Sequence, residues 1–146
     1  MFKTVLILHL LGATIWTGGH MILCFSVLPN VLKTRDIKPL QMFETHFERI
    51  GMPALFVQVL TGFHLASTML PLTEWFKFDS YVNTHISVKV ILLLLTLILA
   101  IHAKVKLLPN LSDKNLNSLA CHIVAVTIIS ILFAVLGVGI KIGGIF

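Results

Sequence analysis

The stretch HLLGATIWTGGH, His9 to His20, places two imidazoles eleven residues apart in an otherwise apolar run. Eleven residues is nearly three helical turns, so both rings share one helix face, about 16 Å apart along the axis. Ionisable groups at membrane depth are costly and mark functional sites. One helix face thus offers a ligand to each half of a bilayer. Histidine recurs at His46, His64, His85, His102 and His122. His9 lies six residues inside Lys3, and His64 six residues before Leu70, so on antiparallel neighbours the two fall at one depth. They are the first expected metal pair. His20 with His102 or His122 is the second, while His46 and His85 read as residues of the water boundary.

Zinc sites want three or four ligands converging at one depth, often with cysteine or carboxylate. The spans expected below contain no carboxylate. Two imidazoles on facing helices match the axial needs of a haem iron, which helix bundles hold in their cores. Haem b is therefore the expected cofactor, one or two per chain, with His9, His64, His20 and His122 as metal ligands and His102 as an alternative. A c-type haem is excluded, since C-x-x-C-H is absent. Trp16, Gly18, Gly19 and Gly62 would line the macrocycle, the glycines by letting a flat ring approach the backbone. Lys89, one turn after His85, and Arg49 would face a propionate; the competing expectations are a snorkelling lysine and a surface ion pair of Arg49 with Glu48.

The elements that must position these residues follow from composition. The chain of 146 residues is 57% hydrophobic and 12% charged, with a mean hydropathy of +0.97. Soluble domains are about 45–50% apolar and about 25% charged, so this is an integral membrane protein. The expected fold is all-α, an antiparallel four-helix bundle in one domain, 1–146, with spans near 5–28, 51–70, 86–105 and 119–140. Lys3, Lys77 and Lys141 lie on the side of the termini; Lys33, Arg35, Lys38, Arg49, Lys104, Lys106 and Lys114 lie opposite. Basic loops stay cytoplasmic, which puts both termini outside, in the periplasm of a bacterial inner membrane. The +5 charge thus reads as an orientation signal with anionic lipid as partner, and nucleic acid is not expected.

Between the spans, Asp36 to Ile50 carries an apolar stripe of Phe43, Phe47 and Ile50 and reads as an interfacial helix. Trp75, Phe76, Phe78 and Tyr81 read as an aromatic belt. Asn83 and Thr84 are candidate caps of the third helix. Cys24 and Cys121 read as small buried hydrophobes on the reducing side.

LHLLGATIWTGGH, ERIGMPALFVQVLTGFHLAS and HISVKVILLLL, in that order, resemble the first three helices of the copper-resistance D (CopD) and HemJ superfamily of small membrane proteins. The likeness spans about three of the four helices. HemJ proteins are haem-b-dependent protoporphyrinogen oxidases, and the resemblance carries their helix-one histidine onto His9 and their lysine onto Lys89. MILCFSVLPN differs from the HemJ pattern after helix one, and LTGFHLAS is closer to the copper-resistance branch, whose members are proposed to handle copper. The leading expectation is a membrane cytochrome b coupled to a quinone and to a redox partner protein. The alternatives are a copper-binding or copper-transport protein, a HemJ-like oxidase, and a structural subunit of a larger redox complex. A homo-oligomer is compatible with each.

Overall fold

The computed structural model describes residues 1–145; Phe146 lies outside them. The chain is an all-α bundle, with no strand among the described residues. Four continuous helical stretches, Phe2–Thr34, Lys38–Met69, Tyr81–Leu107 and Leu116–Ile142, are long and apolar enough to cross a membrane. Integral membrane architecture is therefore established. The helices are α1 (Phe2–Ile22), α2 (Leu28–Thr34), α3 (Lys38–Met69), α4 (Tyr81–His102) and α5 (Leu116–Ile142). Apolar side chains cover the outer surface, among them Leu10, Phe25, Phe56, Leu60 and Ile98, each more than half exposed. In lipid such exposure costs nothing.

Two features of the long helices depart from expectation. First, Leu23–Val27 and Ala103–Leu107 are π-helical, so α1 passes through a π turn into α2 and α4 ends in one. Each lies at the end away from the termini and follows closely on a histidine, His20 or His102. Such bulges are uncommon and cluster at functional sites. Second, α3 is a single helix of 32 residues that begins at Lys38 and carries Pro53 in its interior. The segment expected as an interfacial helix leading into the second span is continuous with that span in one helix. Nothing between Pro39 and Gly51 breaks a helix, and Phe43, Phe47 and Gly51 continue its inward face.

The packing order is α3 on α1, α1 on α5 and α5 on α4; α3 and α4 scarcely touch. Membrane helices approach closely where side chains are small. At the α1–α3 crossing, a Cβ on Gly12 would stand 2.9 Å from the Ala54 carbonyl oxygen. Farther along, the Phe47 ring lies against both Gly19 and Gly51. At the far end Leu23, Leu28, Val31, Leu40, Leu107 and Leu116 form a dry cluster, tied at the surface by Arg35 to Asp113 (3.3 Å) and Asn117 (3.1 Å).

At the termini end the expected aromatic belt divides. Phe76, Phe78 and Tyr81 are exposed, but Trp75 is only 3% exposed. Its indole N–H donates to the Leu70 carbonyl at 3.1 Å, its ring stacks on Phe63, and Ser87 donates to its carbonyl. Trp75 therefore closes the α3–α4 gap at this end. Ser80, rather than Asn83 or Thr84, caps α4; Asn83 sits at the third helical position and completes a reciprocal capping box. Cys24 packs beside the far-end core, whereas Cys121 is exposed, not buried as expected.

Gly12→Val must push backbone from backbone, and overpacking of this kind costs about 1–3 kcal/mol. A Cβ on Gly18 would meet nothing within 4 Å. Thermal unfolding in detergent is expected to show a lowered Tm for Gly12→Val and a nearly unchanged one for Gly18→Val.

Candidate functional site

The histidines assort into two groups, one in each half of the bundle. In the half nearer the termini, the His9 Nδ1 stands 3.0 Å from the Gln58 carbonyl oxygen and 3.0 Å from Thr61 Oγ1. A carbonyl only accepts, so Nδ1 carries the proton and Nε2 is left as the lone-pair nitrogen. The ring lies over Gly62, whose absent Cβ would stand 3.0 Å from His9 Cε1. Gln58 places its side-chain oxygen in the interior with no hydrogen-bond partner among the described residues.

Lys89 turns into the bundle rather than outward: its Nζ lies 3.3 Å from where a Cβ of Gly137 would be. It is half-buried and makes no ion pair or hydrogen bond among the described residues. A lysine held among helices without a counter-ion invites an anion. His85, expected at the water boundary, is fully buried; its Nδ1 donates to the Tyr81 carbonyl at 2.6 Å and its ring lies edge-on to Tyr81.

His64 does not join this group. It sits on an exposed face of α3 and makes no hydrogen bond to His9 among the described residues. The two rings do not face each other. Thr61 and Gly62 meet His9, and at about 100° per residue His64 falls on a different face. The expected His9–His64 pair is thereby corrected.

In the other half, His20 donates from Nδ1 to the Trp16 carbonyl at 2.9 Å. Its ring lies against Trp16 at a tilt of 43° (centroids 4.4 Å apart) and meets Phe47 edge-on (5.6 Å). His102 and His122 pair with each other: Nδ1 to Nε2 is 2.9 Å, with rings stacked at 4.9 Å. His122 Nδ1 donates to the Ser118 carbonyl at 2.8 Å. Its Nε2 must therefore accept from His102, and the chain of bonds runs one way, from His102 through His122 to Ser118. The expected choice of His102 or His122 as partner of His20 thus resolves differently, since the two bind each other.

His20 and His122 both line a cavity of about 110 Å³ between all four long helices, together with Trp16, Phe47, Glu44 and Ala100. This volume is far below that of a porphyrin, and the His122 Nε2 is already taken. The flat ring that approaches Gly19 is Phe47, not a macrocycle. Gly18 faces open space. Arg49 is exposed, and its neighbour Glu48 pairs with Lys104 of α4, so the expected Arg49–Glu48 pair is replaced by one that bridges α3 and α4. His46 is exposed, as expected at an interface.

The half nearer the termini suits a haem better by its donor set. It offers one imidazole with Nδ1 fixed and Nε2 available, an unopposed ammonium, an unsatisfied amide oxygen, and glycines under both His9 and Lys89. No group of three or more His, Cys, Asp or Glu side chains converges among the described residues, which leaves a multi-ligand copper or zinc centre without a built site. Sequence reasoning missed Gln58, Thr61 and Glu44. The first two are ordinary polar residues in an apolar helix and signal only by their spacing; Glu44 was hidden because the start of α3 was placed too late.

No protein-family model, curated protein or solved structure matches the chain. What the protein does must be argued from its own residues.

The His102–His122 bond lies between helices, where such bonds are worth about 0.6 kcal/mol on average and about 1.7 at most. A double-mutant cycle with His102→Phe and His122→Phe, read by reversible unfolding in detergent, is expected to give a coupling energy in that range. A value of zero would mean the rings do not bind.

Proposed function

We propose that the chain is a haem-b-binding membrane oxidoreductase of the CopD/HemJ kind, carrying one haem in the half of the bundle nearer the termini. The observations that support this are an imidazole oriented by Thr61 and the Gln58 carbonyl, and Lys89 turned into the bundle with no ion pair among the described residues. The same two positions are those to which the family resemblance assigns importance.

Bound haem supplies a one-electron couple. His9 would ligate it through Nε2, and the bonds at Nδ1 hold the ring and raise its basicity, as outer partners of metal-ligating histidines do. Lys89 would offer its ammonium to a propionate, or to a carboxylate of an anionic substrate. Gly62 and Gly137 make room for the His9 ring and the Lys89 ammonium respectively. With the basic excess at the far end, the haem side is the outer, periplasmic side.

Reduced-minus-oxidised spectra and pyridine haemochrome assay of the purified protein test this. Wild-type protein is expected to hold one haem per chain. His9→Ala is expected to lose most of it and Lys89→Met to hold it more weakly, while His64→Ala and His20→Ala keep the wild-type content. A colourless preparation that binds copper instead would overturn the proposal.

A further inference from the structure

The cavity in the half away from the termini has no part in the haem site, yet its lining carries an unbalanced charge. Titratable side chains reach it from every long helix: His20 from α1, Glu44 and Glu48 from α3, Lys104 from the π turn that follows α4, and His122 from α5. His122 is engaged at both ring nitrogens, by His102 and by the Ser118 carbonyl. His20 donates from Nδ1 to the Trp16 carbonyl and keeps Nε2 as an acceptor. With both rings neutral, two carboxylates face a single ammonium. Lys104 is ion-paired with Glu48 and stands beside Glu44 in the same lining; Glu44 precedes Glu48 by one helical turn on the same face of α3. Carboxyl groups that share a partly buried site relieve such a surplus by keeping a proton.

The space suits water. Its volume is about 110 Å³, and a water molecule occupies about 30 Å³ of the liquid, which leaves room for about three. His20 Nε2, the two carboxylates and the ammonium are the polar partners that buried waters need. The rim reaches the aqueous boundary. With 32 residues, α3 is about 48 Å long, more than a hydrocarbon core of about 30 Å. At that rim the Lys104 and Glu48 side chains are 54% and 41% exposed. A metal ion wants several converging donors, and no three His, Cys, Asp or Glu side chains converge among the described residues. A proton needs one acceptor oxygen and water to bring it.

We propose that this cavity is a hydrated proton site, filled from the water on the side away from the termini, in which Glu44 holds one proton at neutral pH. A hydronium ion gives up one O–H bond, the Glu44 carboxylate forms one, and water is left behind. The acid then donates through water to His20 Nε2. The lining becomes neutral, with one carboxylic acid and one carboxylate paired to one ammonium. What the proton accomplishes rests on the redox reading above: an electron entering the other half of the bundle is offset by a proton held in this one. Holding the proton requires no haem.

Infrared spectroscopy of the full-length protein in detergent at neutral pH tests this, since the chain has only six Asp and Glu residues to absorb. The wild type is expected to show the C=O band of one protonated carboxyl per chain, shifting promptly on transfer to D2O because water reaches it. Glu44→Gln is expected to abolish the band. Glu48→Gln is expected to abolish it too, since Glu44 then has Lys104 to itself and ionises, whereas Lys104→Met is expected to enlarge it. Labelling glutamate with carbon-13, which moves the band of any Glu, identifies it without a substitution should a variant fail to fold. A wild type without the band, a band kept in Glu44→Gln, or a band blind to D2O would each overturn the proposal. So would a band removed by sodium ions at fixed pH and ionic strength, which would mean that a metal cation neutralises the site. Haem content read on the same preparations separates the two readings: the band without haem supports the proton site alone, and haem without the band supports the haem site alone.

Discussion

A polar ring in hydrocarbon must find its hydrogen-bond partner inside the protein, because lipid provides none. That single requirement orders this bundle. His20, His46, His85 and His122 each donate from Nδ1 to the carbonyl one turn back on their own helix, and His9 donates across to α3. With Nδ1 donating, His9, His20 and His122 turn Nε2 toward what lies beyond them. The backbone thus chooses the tautomer, and the tautomer decides which rings can still ligate or accept. His122 spends its Nε2 on His102; His9 and His20 do not spend theirs on any other residue described.

The two halves of the bundle divide on this basis. One pairs an available imidazole with an unopposed lysine, which is chemistry for an anionic cofactor or substrate. The other sets an available imidazole beside Glu44, Glu48 and Lys104 around a small cavity. Both depend on small residues where helices cross. Gly12 lets α3 close on α1 and so brings Thr61 to His9, while Gly19 and Gly51 make room for the Phe47 ring that walls the cavity.

Much of the fold could be read from the sequence, because four apolar runs of span length, separated by Pro, Asn and Asp, leave a membrane bundle as the one economical solution. Depth could be read as well: His9 and His20 fall in opposite halves as counted. Rotation could not. A residue's facing depends on which helices are neighbours, and an apolar helix has no wet side to orient it. His64 faces away from His9, Lys89 was open between two directions, and His85, read at the water boundary, is packed among the helices. The cavity was invisible for a related reason, since it exists only where α3 and α4 fail to meet.

The π turns carry a consequence for how this molecule tolerates change. Each holds one residue more than an α-helical turn needs, so the helix beyond it is rotated by about 100° relative to the helix before it. The leucines that build the far-end core after Val27 and around Leu107 are therefore set in phase separately from the histidines that precede them. Losing a single residue within Leu23–Val27 would restore a regular helix and swing α2 off its partners while leaving His9 and His20 in place. The dry end and the chemical interior are geared independently, and the surplus residue is the clutch between them.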